Sequence, residues 1–92
     1  MKLRYTPPAI ADFDAIRAYI EARNPTAAWV VASFIRQSIR ALEYFPHQGR
    51  ATNRPSVRRL MVMNYPYVVY YRVAGDEVEI LNIFHAKRNS LH

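Results

Sequence analysis

Ninety-two residues suffice for one domain with a small core, and the absence of cysteine excludes disulfides and thiolate-bound metals. Hydrophobic residues at 51% and aromatics at 13% allow a packed interior, while a net charge of +6 at pH 7 favours anionic partners. No apolar run nears the roughly 20 residues that cross a bilayer, and no secretory apolar stretch follows Met1-Lys2-Leu3-Arg4, so a single soluble, cytoplasmic domain over residues 1–92 is expected.

Residues 2–6 alternate polar and apolar and predict a short strand. Thr6 then reads as a helix N-cap, with Pro7 and Pro8 at first-turn positions where a missing N–H costs little. Ala9, Phe13, Ile16 and Ile20 recur three or four apart, the spacing of one helical face. Asp12 and Asp14 are expected near the positive end of the helix dipole, and Arg17 and Arg23 toward the negative end. Pro25 stops this helix near Asn24, and Asn24-Pro25 opens a second one. Its stripe is Ala28, Val31, Ile35, Ile39 and Leu42, widened by Trp29, Phe34 and Phe45, with Pro46 at the end. So short a link between two amphipathic helices predicts an antiparallel hairpin.

The period then changes to two. Residues 57–63, 67–73 and 77–84 are β-branched and aromatic runs of strand length, separated by Asn64-Tyr65-Pro66 and Ala74-Gly75-Asp76. The expectation is a three-stranded antiparallel meander, and the whole is an α+β domain: short N-terminal strand, antiparallel helical hairpin, three strands. Strict alternation groups Leu60 with Val62, Val68 with Tyr70 and Arg72, and Val78 with Ile80, Asn82 and Phe84.

Charge is distributed unevenly. No Asp or Glu lies between Glu43 and Asp76, a stretch that holds Arg50, Arg54, Arg58, Arg59 and Arg72. Arg58, Arg59 and Arg72 are candidates for a phosphate-binding strip across adjacent strands, or for cross-strand pairing with Glu77 or Glu79. Tyr67, Tyr70 and Tyr71 suit either base stacking or core packing, the second being commoner on a half-buried sheet. His85-Ala86-Lys87-Arg88 places a proton-transfer group beside two cations that can hold a phosphate. Pro46-His47-Gln48-Gly49-Arg50 reads as a turn with Gly49 at positive φ, and His92 as part of a disordered terminus. No zinc spacing, Gly-rich phosphate loop or nucleophile elbow is present, so no cofactor or metal is expected.

These parts, in this order, resemble the RelE/ParE superfamily of bacterial type II toxin–antitoxin toxins. The resemblance runs through Tyr5-Thr6-Pro7-Pro8-Ala9 and Asp12, then Asn24-Pro25, Leu42 and Phe45-Pro46-His47-Gln48-Gly49-Arg50. It continues through Val57-Arg58-Arg59-Leu60, Tyr65-Pro66-Tyr67-Val68-Val69-Tyr70-Tyr71-Arg72-Val73, Val78-Glu79-Ile80-Leu81 and His85. It implies a toxin neutralised by a cognate antitoxin whose acidic, poorly ordered segment folds onto the arginine-bearing stretch. Promoter DNA is implied to be bound only through the antitoxin. RelE-type members cleave mRNA on the ribosome, whereas ParE-type members poison DNA gyrase. Arg88 matches the arginine that RelE-type nucleases place past the last strand, and His85 is then the acid or base. No tyrosine follows Arg88, and the Tyr-Pro-Tyr-Val-Val-Tyr-Tyr-Arg run looks ParE-like, so gyrase inhibition is the leading expectation and ribonuclease activity the alternative. The expected binding residues are Arg50, Arg58, Arg59, Arg72 and Lys87. A basic nucleic-acid-binding module without toxicity is a third reading.

Overall fold

A computed structural model describes residues 1–87. The chain runs β1 (Lys2–Tyr5), α1 (Pro7–Glu21), α2 (Pro25–Arg40), a 3-10 turn (Ala41–Glu43), β2 (Arg50–Ala51), β3 (Val57–Met61), β4 (Tyr67–Ala74) and β5 (Glu77–His85). The strands form one sheet in the order β1-β5-β4-β3-β2. The α+β architecture with an antiparallel helical hairpin is as expected, but the meander is only the middle of a five-stranded sheet. β1 joins β5 in parallel, and the two-residue β2 joins β3 antiparallel. Neither pairing has a local pattern to announce it, because β1's partner lies about seventy residues away and β2 is too short for a period.

Both helices begin as their caps require. Thr6 is extended (ψ 158°) and its Oγ1 accepts from Ala9 N at 3.4 Å, while Asn24 Oδ1 accepts from Ala27 N at 3.0 Å. The second-helix stripe is buried as expected: Ala28 lies among residues of α1 and α2, and Val31, Ile35, Ile39 and Leu42 face the sheet. They pack with Leu60, Val62, Tyr67, Val69, Tyr71, Val78, Ile80 and Ile83 into one core, against which Phe13, Ile16, Ile20 and Phe34 lean. Each fully buried valine, leucine or isoleucine here contributes roughly 1.5–3 kcal/mol. Trp29 and Phe45 do not widen the stripe: they are 70% and 66% exposed. Trp29 sits one residue past Ala28, about 100° around the helix, and Phe45 follows the 3-10 turn, where helical periodicity has ended.

Three other expectations change. Asp12 and Asp14 miss the first turn of α1, where there is no acidic residue. Asp12 instead reaches the sheet, its Oδ2 accepting from Ile83 N at 2.9 Å and Asn82 Nδ2 at 3.3 Å. Strict alternation fails in β5. Tyr70 pairs with Asn82 but Tyr71 pairs with Ile80, so Leu81 is an extra residue, a bulge. Val78 and Ile80 face the helices, and beyond the bulge Ile83 does so, not Asn82 or Phe84. Thr6 holds the same spot, with N and Oγ1 donating to Ile80 O at 3.1 and 2.6 Å.

Gly49 is the third. Its φ is not positive; among the described residues only Ser56, Asn64 and Gly75 have positive φ. Gly49 is buried because the Tyr71 hydroxyl sits on it. That hydroxyl accepts from Gly49 N at 2.9 Å and donates to Pro46 O at 2.8 Å, tying the 46–50 loop to the sheet. Burial pushes the Tyr71 phenol above its usual 10.0, opposed by the Gly49 N–H and by Arg58. Burial likewise raises Tyr5, opposed by Arg36 and Arg40. A phenol that titrates higher when folded stabilises the fold fully below about pH 10, and that contribution vanishes as pH climbs through the folded value. The urea midpoint should therefore hold steady from pH 7 to about 9 and decline above about 10, less steeply in Tyr71→Phe. A midpoint constant to pH 11 would contradict this.

Candidate functional site

In an antiparallel sheet, residues directly opposite each other project from the same face. The pairings therefore lay side chains in rows across the sheet face turned away from the helices. One row is Arg50, Arg59, Tyr70 and Asn82; beside it runs Met61, Val68 and Phe84; another holds Arg72, Glu79 and Arg4.

Charge splits this outer face in two. At the β1–β5 end, Arg4 contacts Glu79 and bonds Glu77 at 3.1 Å, and Arg72 Nη1 meets the other oxygen of Glu79 at 3.4 Å. The bonds to Glu79 and then Glu77 raise the Arg4 guanidinium above its ordinary value. Two arginines and two carboxylates cancel there. At the β2–β3 end Arg50, Arg54 and Arg59 have no carboxylate within ion-pair distance among the described residues. Arg50 lies directly opposite Arg59. Beside this cationic end runs an open groove of about 510 Å³, whose lining includes Arg54, Arg59, Tyr70, Asn82 and Phe84. The Tyr70 and Phe84 rings meet edge to face, centroids 5.9 Å apart.

The other residues singled out from the sequence do not converge on this groove. Arg58 pairs with Tyr71 and so lies on the helix side; its Nη1 donates to Gly49 O at 2.7 Å and His47 O at 3.3 Å. It braces the 46–50 loop. Arg58, Arg59 and Arg72 therefore form no single strip, and Arg72 takes the cross-strand pairing with Glu79. Tyr67 and Tyr71 are core residues, leaving Tyr70 on the outer face.

His85 pairs with Tyr67, also on the helix side, and packs edge-on to its ring at 5.3 Å. Its Nδ1 accepts from Lys87 N at 3.2 Å, which leaves the proton of the neutral ring on Nε2. The ring borders a second open groove, between α1 and the end of β5, with Asp12, Tyr19 and Tyr67. Lys87 is exposed, and Arg88 and His92 lie outside the described residues. Sequence reasoning missed Asn82 and Phe84 as groove residues. Only the bulge puts them there, and a bulge leaves no mark on a period-two pattern.

No helix among the described residues is long and apolar enough to cross a membrane. Residues 3–90 match the family model described as the ParE toxin of the type II toxin–antitoxin system parDE. A protein named "Putative toxin Y4kP" from Sinorhizobium fredii is 39% identical over 85 residues, spanning 92% of this chain and 88% of that protein. "Toxin RelE2" from Caulobacter vibrioides is 38% identical over 84 residues, 91% of this chain and 93% of its own length. A solved structure titled "Chromosomal ParDE TA system from P. aeruginosa" superposes with a TM-score of 0.84 at 32% identity, covering 92% of this chain and 95% of that one. A family match over nearly the whole chain, relatives at this identity and a shared fold agree: the chain belongs to the ParE toxin family of type II toxin–antitoxin systems, and by that membership a cognate antitoxin is its partner.

Proposed function

We propose that this toxin arrests growth by binding DNA gyrase, without cleaving RNA, and that its antitoxin neutralises it. The observation that carries this reading is the separation of Arg58 and Arg59 from His85, which leaves the exposed Lys87 as the cation beside it in the described chain. Cleavage through a 2′-hydroxyl requires an acid or base and a cation around one phosphate. His85 stands opposite Tyr67 and Arg58 opposite Tyr71, four residues along β4, or about 13 Å at the rise of a strand. Arg58 is also already bonded to two loop carbonyls. Arg59 lies on the other face of the sheet.

Purified toxin should abolish supercoiling of relaxed plasmid by gyrase, and addition of the cognate antitoxin should restore it. Full supercoiling at a large molar excess of toxin would rule the proposal out. The ribonuclease reading draws support from the name of one relative, Toxin RelE2. It requires mRNA to fragment during growth arrest and His85→Ala to abolish toxicity. Intact mRNA together with undiminished toxicity of His85→Ala excludes it.

A further inference from the structure

We propose that the outer-face groove beside Arg50, Arg54 and Arg59 binds a single strand of nucleic acid. The phosphates would lie along the arginines and an unstacked base against Tyr70 and Phe84. The first observation is the placement of Arg50 directly across from Arg59. Like charges in directly opposed cross-strand positions destabilise a sheet, and here no carboxylate among the described residues relieves them. The fold carries that cost on a two-residue strand at the edge of the sheet. An anion between the two guanidiniums removes it.

The second observation is what adjoins the charge. Tyr70 and Phe84 offer aromatic surface in the same groove as Arg54, Arg59 and Asn82. An acidic peptide needs only the cations. A nucleotide uses both, since every base has a face to stack and every linkage a phosphate to pair. Asn82 also lines the groove, its amide nitrogen already given to Asp12. A duplex keeps its bases stacked on each other and offers none to the rings, so the groove selects single strands. At about 510 Å³ it has the size of ordinary small-ligand sites. The neutralised β1–β5 end, with Glu77 and Glu79, limits the strand to the β2–β3 side.

The proposal is independent of the gyrase reading, and either can fail alone. It is tested by fluorescence anisotropy of a labelled twelve-residue oligothymidylate against the purified full-length chain. Arg59→Ala and Tyr70→Leu should each weaken binding by about tenfold, the worth of one stacked base or one charge-assisted contact. Arg17→Ala removes the same charge from the exposed face of α1 and should change binding by less than about twofold. Arg50→Glu guards against misfolding: facing Arg59, it should raise the Tm of the free protein by about 2–4 °C while abolishing binding. Three results overturn the proposal. They are equal losses in Arg17→Ala and Arg59→Ala, duplex binding as tight as single-strand binding, or a decaglutamate peptide binding as tightly as the oligonucleotide with Tyr70→Leu without effect. The last would make the groove an acidic-peptide site.

Discussion

Replacing Gly49 with alanine should cost about 3 kcal/mol and lower the Tm by on the order of 15 °C, the largest effect expected of any conservative change in this chain. A methyl group at residue 49 would stand 2.8 Å from Tyr71 Cε1 and from its hydroxyl, and 2.9 Å from the carbonyl oxygen of Arg59. None of these can move freely. The tyrosine ring is fully buried, and its hydroxyl is held by Pro46 O and Gly49 N together. The carbonyl belongs to β3, which is paired on both sides at this point. Relief requires pushing the 46–50 loop off the sheet, breaking the Tyr71 bonds and the brace from Arg58. Gly75→Ala makes the contrast. Its φ is +63° but open space surrounds it, so the cost is backbone strain alone, about 1 kcal/mol. Thermal unfolding of the two variants distinguishes crowding from strain. Equal Tm values would show that the approach of Tyr71 is not what requires glycine at residue 49.

Asp12→Ala should cost about 2 kcal/mol, the range of a hydrogen bond to a charged group whose donor is left stranded. The carboxylate spans from α1 to the backbone of β5 just past the bulge, accepting from the Ile83 N–H beyond the point where β1 ends opposite Ile80. Asp14, two residues on, is exposed and stands 4.0 Å from Arg17. Asp14→Ala should stay within about 0.5 kcal/mol of the parent. Urea denaturation of the pair, with exchange of the Ile83 amide as a local probe, tests the assignment. If Asp12→Ala unfolds at the same midpoint as Asp14→Ala, the carboxylate is not a structural clamp.

The helices were legible because their signals are local. Thr6-Pro7-Pro8 and Asn24-Pro25 mark starts by chemistry that acts within four residues, and the stripe from Ala28 to Leu42 repeats often enough to outvote its neighbours. The meander was legible for the same reason. What escaped depended on distant pairing. β1 reads as a strand but carries no hint of its partner, and a two-residue β2 has no period at all. Among the site residues, the arginines and Tyr70 stood out by composition, yet only the register reveals that Arg58 faces inward while Arg59 faces out. Gly49 misled for an instructive reason: a glycine shortly after a helix-ending proline suggests a turn, whereas here its missing side chain makes room for Tyr71.

The parallel pairing of β1 with β5 also governs when the toxin can exist. Arg4 and Glu79 are 75 residues apart, and Thr6 rests on the carbonyl of Ile80. During synthesis the first strand leaves the ribosome with no partner, and none arrives until the last strand has been made. The outer-face groove likewise lacks Asn82 and Phe84 until then. A chain that lacks residues 77–85 is thus a helical hairpin without a completed sheet, and the outer surface is finished only once β5 is in place.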